Sequence, residues 1–264
     1  MVLKGKVAWV TGAGRGLGQG VVQMYARHGA TVIAISRTLA ELERTREIAR
    51  AEGTDIVIKA VDLHDEAALR ALADWTLQEF GRMDVLVNNA ARLPLKYFTD
   101  MTMDDWDRTL NINLRVPVLT SMLFLPTMLA QGEGHIINVS SGAAVKGFLK
   151  ETDYCASKFA LEGFTKSLAM ELHDHNIAVN AVTPGGKRGG VRIKPTSVTQ
   201  AQFDALPPEE KAKWGDPIDL CESFVWLALH GSKDLTGKRV YAWDLSDLCR
   251  RQGWDVTYDP DTYA

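Results

Sequence analysis

The stretch Thr11-Gly12-Ala13-Gly14-Arg15-Gly16-Leu17-Gly18 decides the fold of this chain. It follows the apolar run 7–10 and precedes a helix-like segment that ends near residue 28. Glycines let a backbone turn sharply and approach a ligand closely, and the free amides at the start of the next helix favour an anion. The spacing T-G-x-x-x-G-x-G differs from the common G-x-G-x-x-G of nucleotide folds, so a plain glycine-rich loop stays an alternative. The stretch predicts a strand, a tight turn and a helix that hold a phosphate group.

Short runs rich in Val, Ile and Ala alternate with longer helical patterns along the chain. The predicted strands are 7–10, 31–35, 56–60, 85–88, 135–139, 178–182 and 239–243. The predicted helices are 17–28, 39–51, 66–80, 103–129, 154–173 and 217–229. Strands that alternate with helices pair in parallel through right-handed crossovers, and continuously apolar strands are covered on both faces. The sequence therefore predicts an α/β fold, a doubly wound, Rossmann-like three-layer sandwich around a mainly seven-stranded parallel sheet.

The length of 264 residues fits one large domain, which we expect to span 1–264. One stretch, 185–215, lacks a clear period and contains Pro195, Pro207 and Pro208. So long an irregular segment predicts a substrate lid, with a disordered loop as the alternative. The C-terminal stretch 244–264 is predicted to be an aromatic tail that packs on the protein or on a neighbouring subunit, or covers the site.

Composition argues against several classes of function. A net charge of −3 gives no general attraction to nucleic acid or to an anionic membrane. Three cysteines without a C-x-x-C pair favour a reduced, cytoplasmic protein without a metal site. No N-terminal apolar run is long enough for a signal peptide. The apolar region 116–130 is shorter than a membrane span and is interpreted as a buried helix.

The end of the second strand indicates which cofactor is bound. In dinucleotide folds the residue there contacts the adenosine ribose, and an acid would repel a 2′-phosphate. Here Ser36 is neutral and Arg37 carries a guanidinium suited to phosphate. Arg15 is a cation at a helix N-terminus, where the helix dipole is also positive. An anion bound nearby would offset this unfavourable interaction. The prediction is NADP, with NAD less favoured; two solvated surface arginines are the alternative.

Polar residues at three further strand ends are candidates for the site. Asp62 follows the third strand and either accepts the adenine amino group or caps the next helix. The fourth strand ends in Asn88-Asn89-Ala90-Ala91, where the small residues would let a cofactor lie close and the asparagines could tie neighbouring strand ends together. Ser141 ends the fifth strand and either contacts a substrate oxygen or forms a turn.

Tyr154 and Lys158 are four residues apart on one face of a predicted helix. A free phenol has a pKa near 10 and is a poor acid–base catalyst at neutral pH. A neighbouring ammonium would stabilise the phenolate and lower that pKa. The pair is therefore a candidate proton donor and acceptor.

In this order and spacing the motifs resemble those of the short-chain dehydrogenase/reductase superfamily, non-extended type, over roughly residues 5 to 185. The resemblance implies a catalytic set of Asn113, Ser141, Tyr154 and Lys158. It implies cofactor contacts from Gly12, Arg15, Gly16, Leu17, Gly18, Ser36, Arg37, Asp62, Leu63, Asn89, Ala90, Tyr154, Lys158, Pro184 and Gly185. No metal is implied.

The resemblance also implies a mechanism. Ser141 would orient a carbonyl or alcohol oxygen, and Tyr154 would give or take the hydroxyl proton. Lys158 would depress the pKa of Tyr154 and bind the nicotinamide ribose, while Asn113 would anchor a water that links Lys158 to solvent. The cofactor would supply the hydride. Relatives commonly form homodimers or homotetramers through the helix that carries Tyr154.

Two regions depart from the family pattern. Gly189 stands where the family usually has a threonine, within a run that contains four cations: Lys187, Arg188, Arg192 and Lys194. These cations either attract an anionic substrate or are simply solvated. The usual Asp-Gly-Gly turn after the last strand is replaced by a sequence that leads to Trp254, Tyr258 and Tyr263.

The sequence therefore predicts an NADP-dependent oxidoreductase that acts on a small ketone or secondary alcohol. A 3-oxoacyl thioester reductase and a non-catalytic NADP-binding regulator are the alternatives. Specificity resides in loops, so the substrate stays open. The candidate pocket-lining segments are 92–98, 143–153 and the lid.

Overall fold

The computed structural model describes residues 1–187, 203, 205–211 and 214–262, together with the backbone of 192–193. The strands of its main sheet are β1 (Val7–Thr11), β2 (Thr31–Ser36), β3 (Val57–Ala60), β4 (Val85–Asn88), β5 (Gly134–Val139), β6 (Ile177–Thr183) and a last strand, Arg239–Tyr241. Its longer helices are α1 (Gly16–Arg27), α2 (Leu39–Ala51), α3 (Glu66–Phe80), α4 (Met103–Leu110), α5 (Val116–Gln131), α6 (Thr152–Leu172), Glu222–Leu229 and Ala242–Gln252.

All seven strands pair in parallel, in the order β3-β2-β1-β4-β5-β6 followed by the last strand. Strand order reverses between β1 and β4, where the chain crosses from one half of the sheet to the other. Ligands of open α/β sheets bind at such a switch point, outside the carboxyl ends of the strands. The predicted doubly wound fold is confirmed, and the topology places the glycine turn after β1 at this point.

The apolar side chains on the two faces of the sheet pack into two separate hydrophobic cores. In β1, Ala8 and Val10 pack into a core with α1, α2 and the helix Glu222–Leu229, whereas Val7 and Trp9 face α3 and α5. Successive side chains of a strand point to opposite faces, so a strand covered on both sides needs apolar residues at every position. Trp9 is fully buried and its ring lies 4.5 Å from that of Phe124, edge to face.

The predicted helix 103–129 is two helices joined by a wide turn. Residues Asn111–Arg115 form a π-helical turn in which the Val116 amide bonds the Asn111 carbonyl. By length and composition alone the stretch 103–131 contains enough apolar residues to cross a membrane, with 44% of its most apolar window buried. Here α5 packs against α3 and β5. The prediction of a buried helix is therefore correct for the side of α5 that faces these elements. Its other side exposes Met122.

Two elements predicted in the C-terminal third differ from those in the structure. The predicted strand 239–243 ends at Tyr241, and Ala242 begins a helix that runs to Gln252. The predicted helix 217–229 is a 3₁₀ turn, Pro217–Leu220, followed by the helix Glu222–Leu229. The tail therefore starts with three helical turns, which the sequence reading missed because Ala242 and Trp243 also suit a strand.

The remainder of the tail packs on the protein. Tyr258 is buried and its hydroxyl accepts a hydrogen bond from the Tyr241 amide. The Trp226 indole donates to the Val256 carbonyl, and the Trp254 ring lies 5.1 Å from that of His28. The packing interpretation of Trp254 and Tyr258 is thus confirmed, while Tyr263 lies outside the described residues.

Only parts of the predicted lid 185–215 are described. Arg192–Ile193 and Trp214–Gly215 pair as two short parallel strands, and Pro208–Lys211 forms one helical turn. The segment therefore contains short regular elements that its sequence did not indicate. Arg188, Gly189 and Lys194, on which the sequence reading depended, lie outside the described residues, as does the side chain of Arg192.

His135 lies at the amino end of β5, opposite the cleft, and is buried. Neither ring nitrogen has a hydrogen-bond partner among the described residues; Glu133 is 3.7 Å from Nε2. Burial is the largest influence on the His135 pKa and lowers it, and nearby Lys6 acts in the same direction, whereas Glu133 and Asp84 act against it. A buried histidine of this kind stays neutral while the unfolded chain takes up a proton.

We expect stability to fall as pH drops below about 6.5, the unfolded-state pKa of histidine. The wild type should lose unfolding free energy when the pH falls from about 7.5 to 5.5. His135→Leu should lose up to about 1 kcal/mol less over the same interval, because leucine takes up no proton on unfolding. Urea denaturation at the two pH values measures it. The exposed His175 provides the control, His175→Leu. Burial also lowers the pKa of His28, so part of the dependence should persist. The same pH dependence in wild type and His135→Leu would contradict the prediction.

Candidate active site

The glycine turn after β1 has a shape that side chains would block. Gly12 and Gly16 have φ values of +67° and +57°, in the left-handed region that glycine tolerates best. A Cβ on Gly18 would lie 2.3 Å from the Gly12 carbonyl oxygen, and one on Gly12 would lie 2.9 Å from Asn89 Nδ2. The predicted glycines are therefore required by the close approach of three chain segments.

The first turn of α1 leaves its amides open to a ligand. Arg15 precedes the helix, and no side chain of the described residues caps the helix start or places an acid in its first turn. A cleft of roughly 680 Å³ lies beside it. Its lining includes Gly12, Gly14, Arg15, Leu17, Ser36, Arg37, Glu41, Asp62, Leu63, Asn89, Ala90, Arg92 and Ile112. Free amides, a helix dipole and a cleft of this volume fit the pyrophosphate and adenosine of a dinucleotide.

Most predicted cofactor residues meet in this cleft. Arg15 and Arg37 are both exposed at its adenosine end, beside Ser36. Asp62 accepts a hydrogen bond from the His64 amide at 3.0 Å. The helix-cap alternative for Asp62 is wrong, because the next helix, α3, is capped by Asp65, which accepts from the Ala68 amide.

The Asn motif at the end of β4 joins strands. Asn89 Nδ2 donates to the carbonyls of Thr11 and Gly12 at 2.9 and 3.2 Å, and Thr11 Oγ1 accepts from the amides of Asn89 and Ala90. Asn88 donates to Asn138 of β5 at 2.9 Å. The tying role proposed for these asparagines is confirmed, and Asn89 and Ala90 also line the cleft.

Ser141, Tyr154 and Lys158 come together beyond the ends of β5 and β6. Lys158 Nζ lies 5.5 Å from the centre of the Tyr154 ring. Ser141 accepts from the Ala143 amide at 3.1 Å, and it lies close enough to the phenol to lower the pKa of Tyr154. The serine, the phenol and the ammonium therefore form one cluster.

Among the described residues, Lys158 does not lower the pKa of Tyr154 as the sequence predicted. Burial raises the pKa of Tyr154 to about 12, against the smaller lowering effect of Ser141. Lys158 is fully enclosed; it donates to the Val139 carbonyl at 2.7 Å, and burial lowers its own pKa to about 8. With the Lys158 ammonium bound to the Val139 carbonyl, burial stays the dominant influence on the pKa of Tyr154. Tyr154 is thus held as a protonated donor.

Asn113 lies in the π-helical turn and is fully buried. Its Oδ1 accepts from the Arg92 amide at 2.8 Å, and its Nδ2 donates to the Arg92 carbonyl and to Ser157 Oγ, each at 3.0 Å. The side chain therefore connects the cleft wall at Arg92 to α6, one residue before Lys158. Its expected role as a water anchor stays a prediction.

A polar network that the sequence analysis missed connects Arg92 to the residue before Tyr154. The Arg92 guanidinium binds Asp105 and donates to Thr109 Oγ1 at 2.7 Å. Thr109 in turn donates to the fully buried Asp153 at 2.6 Å, and Asp153 accepts from the Tyr154 amide. The network fixes the start of α6 against α4. No signal in the sequence identifies it, because its members are brought together by packing.

Glu162 forms a second cluster that sequence reasoning missed. It is buried one helical turn beyond Lys158, accepts from Ser140 Oγ at 2.6 Å and pairs with Arg239 of the last strand. The charge of Glu162 raises the pKa of Lys158 and partly offsets the effect of burial. It therefore helps keep the ammonium charged.

The two predicted pocket-lining segments in 92–98 and 143–153 meet. Lys150 Nζ lies 4.6 Å from the centre of the Tyr97 ring. Phe148 reaches to 4.0 Å from the position a Cβ would take on Gly142, next to Ser141. Leu149 is largely exposed at the same loop. The wall near Ser141 is thus partly apolar.

Pro184 and Gly185 follow β6, and the Gly185 carbonyl accepts from the Trp243 amide. Neither is among the described residues that line the cleft. Lys187 is bound to the tail: its amide donates to Asp244 and its Nζ to the carbonyls of Pro260 and Asp261. The ammonium of this exposed residue is therefore engaged by carbonyl groups of the C-terminal tail.

A glycine turn, a dinucleotide-sized cleft and a Ser-Tyr-Lys cluster on a doubly wound sheet define a nicotinamide-dependent oxidoreductase site. Comparison gives the family: residues 6–196 match the model of the short chain dehydrogenases, and this chain belongs to that family.

The chain is similar over nearly its whole length to curated relatives of different activities. It is 32% identical to a 3-oxoacyl-[acyl-carrier-protein] reductase of Thermotoga maritima over 241 residues, 91% of this chain and 97% of the relative. It is 34% identical to an L-xylulose reductase of Mesocricetus auratus over 242 residues, 90% of this chain and 95% of the relative. Family membership therefore fixes the reaction class and leaves the substrate open.

A solved structure of similar fold contains a cofactor. It is a metagenomic short-chain oxidoreductase in complex with NADP, with a TM-score of 0.76 and 30% identity, and the match covers 91% of this chain and 99% of that one. The fold similarity extends beyond the segment matched by the family model.

Proposed function

We propose that this chain is an NADP-dependent oxidoreductase that interconverts a small ketone and a secondary alcohol, with Tyr154 as the general acid and base. The observation that carries the proposal is the Ser141–Tyr154–Lys158 cluster at the same carboxyl edge of the parallel sheet as the uncapped start of α1. When bound, the nicotinamide supplies or accepts the hydride. Ser141 orients the substrate oxygen, and Tyr154, protonated at neutral pH, donates a proton to it in the reductive direction.

Two further features support this assignment of roles. Lys158, with a pKa of about 8, carries its charge at neutral pH and stands next to the phenol that loses a proton in each reduction. The buried hydrogen bond between Asn113 and Ser157 holds α6 beside the cleft wall. It therefore fixes the position of Tyr154, which lies on α6, relative to the cleft. A 3-oxoacyl thioester as substrate is the second candidate, supported by the similarity to the Thermotoga reductase. An anionic substrate has less support, because Lys187 is engaged by the tail.

We propose that NADP is preferred because Arg15 and Arg37 flank Ser36 at the adenosine end of the cleft. We also propose a cytoplasmic location, in line with three buried free cysteines, and function without nucleic acid or membrane.

Tyr154→Phe should lower kcat by about 10²- to 10⁴-fold, because it removes the proton donor. The dissociation constant for NADPH should change less than about twofold, since the ring remains in place. Turnover of a carbonyl panel with NADPH and cofactor fluorescence measure the two quantities. Tyr241→Phe is the matched control, because it removes a phenolic hydroxyl from the end of the last strand. A fully active Tyr154→Phe enzyme would exclude Tyr154 as the general acid and base. A wild type that binds NADPH but turns over no carbonyl substrate would favour the alternative of a non-catalytic NADP-binding regulator.

Wild-type protein should bind NADPH at least about tenfold more tightly than NADH, because two guanidinium groups face the 2′-phosphate. Arg37→Gln should weaken NADPH binding about fivefold to tenfold and leave NADH unchanged. Arg44→Gln, an equal charge change on the exposed side of α2, is the control. Equal affinities of the wild type for the two cofactors would refute the preference.

We propose that a second copy of the chain covers the outer side of α5 and α6. Met122 and Leu129, seven residues apart on α5, are 68% and 40% exposed, and Phe159 and Met170 on α6 are 50% and 82% exposed. These spacings place each pair on one helix face, and contiguous exposed apolar surface marks an interaction site. Assembly into a homodimer, or a homotetramer of such dimers, would bury it.

Light scattering on purified protein should report a dimer or tetramer. The double variant Met122→Glu/Phe159→Glu should shift the protein towards the monomer, because it puts charge into an apolar contact. Leu39→Glu, at the exposed start of α2 on the other side of the sheet, should leave the assembly intact. A monomeric wild type, or an unchanged mass for the double variant, would rule out this surface.

A further inference from the structure

Glu41 places a carboxylate at the adenosine end of the cleft, among groups that otherwise favour an anion. It lies in the first turn of α2 and lines the cleft together with Ser36 and Arg37. Its Oε1 is 3.7 Å from the Arg15 guanidinium, and the two side chains are 35% and 63% exposed. An ion pair this exposed is weak, so it can open when a stronger anion approaches.

The carboxylate also touches the glycine turn. A Cβ on Gly14 would lie 2.7 Å from Glu41 Cβ, 3.1 Å from Glu41 Oε2 and 3.2 Å from Ser36 Oγ. The Glu41 side chain therefore passes between the turn that faces the pyrophosphate and the residue that ends β2. A ribose held there, with its 2′-substituent directed at Ser36, would meet this carboxylate.

The backbone that carries Glu41 is fixed. The fully buried Thr45, one turn later in α2, places its hydroxyl 3.1 Å from the Ala13 carbonyl and accepts from Gln19 Nε2 at 3.0 Å. These bonds join α2 to the glycine turn and to α1. Glu41 can thus respond to a ligand by rotating its side chain, while its Cα stays beside Gly14.

Glu41 opposes the two cations that the proposed preference for NADP depends on. A 2′-phosphate brings about two negative charges; it gains from Arg15 and Arg37 but must displace or tolerate the Glu41 carboxylate. A 2′-hydroxyl is neutral and can donate a hydrogen bond to a carboxylate. One side chain therefore acts against one cofactor and in favour of the other.

We propose that Glu41 is a specificity-determining residue that reduces the margin by which the cleft favours NADP(H) over NAD(H). This inference rests on the proposed cofactor function and identifies the residue that limits it. Neutralising Glu41 releases Arg15 for the 2′-phosphate and removes an acceptor for the 2′-hydroxyl.

Glu41→Gln keeps the size of the side chain and removes the charge. It should lower the dissociation constant for NADPH about threefold to tenfold and leave that for NADH unchanged or higher. The gain should shrink between 0.05 and 0.5 M NaCl, two concentrations chosen so that screening differs strongly. Cofactor fluorescence titration of the whole chain gives the dissociation constants for both cofactors, for each protein and at each salt concentration. Glu43→Gln, an equal charge change at an exposed site two residues along α2, is the matched control and should leave the NADPH constant unchanged.

The outcomes separate this inference from the proposed function. If the wild type prefers NADPH and Glu41→Gln behaves like Glu43→Gln, the inference is wrong and the proposed function stands. If the wild type binds both cofactors equally and Glu41→Gln tightens NADPH alone, the NADP preference is wrong and the role of Glu41 is supported. Weaker NADPH binding in Glu41→Gln would overturn the inference, and the absence of any dinucleotide binding would overturn both.

Discussion

The junction between the ends of β1 and β4 is the contact on which the rest of the site depends. The Asn89 amide group donates to the Thr11 and Gly12 carbonyls, and the Thr11 hydroxyl accepts from two amides of the β4 end. Side-chain bonds here satisfy backbone groups that have left the sheet, and unpaired buried backbone groups are costly. The junction can form only because Gly12 and Gly18 lack side chains. It opens the cleft at the switch point and directs the start of α1 into it.

Burial governs the chemistry of the reaction cluster more than proximity does. Tyr154 and Lys158 are close together, yet burial raises the pKa of Tyr154 and lowers the pKa of Lys158. Both shifts favour the neutral side chain, because the surroundings disfavour charge. Glu162, held by Arg239 and Ser140, opposes this effect on Lys158. The resting site is therefore a protonated phenol beside an ammonium bound to a backbone carbonyl. That state suits proton donation to a carbonyl.

Local sequence signals predicted most of the fold. All seven strands were located to within two residues at each end, because strands buried on both faces must be apolar throughout. The glycine turn and the Tyr-Lys spacing were likewise visible, since each imposes a residue type at a fixed separation. The errors fell where local signals conflict or vanish. Ala242 and Trp243 suit a strand as well as the helix they begin, and the π turn at Asn111–Arg115 interrupts an apolar pattern that reads as one continuous helix.

Taken alone, the amino-acid sequence determined the layer architecture, the glycine turn at the switch point and the placement of Tyr154 and Lys158 one helical turn apart, because these follow from periodicity and from spacings of four to eight residues. The tertiary structure decided what surrounds them. The Arg92–Thr109–Asp153 network, the Glu162–Arg239 pair and the carboxylate of Glu41 beside Arg15 join residues separated by 17 to 77 positions. Packing brings such groups together, and burial then determines whether they carry a charge. Neither the contacts between distant residues nor the burial of each residue can be deduced from a local sequence pattern. The shift of the Tyr154 pKa to about 12, against the sequence expectation, has that origin.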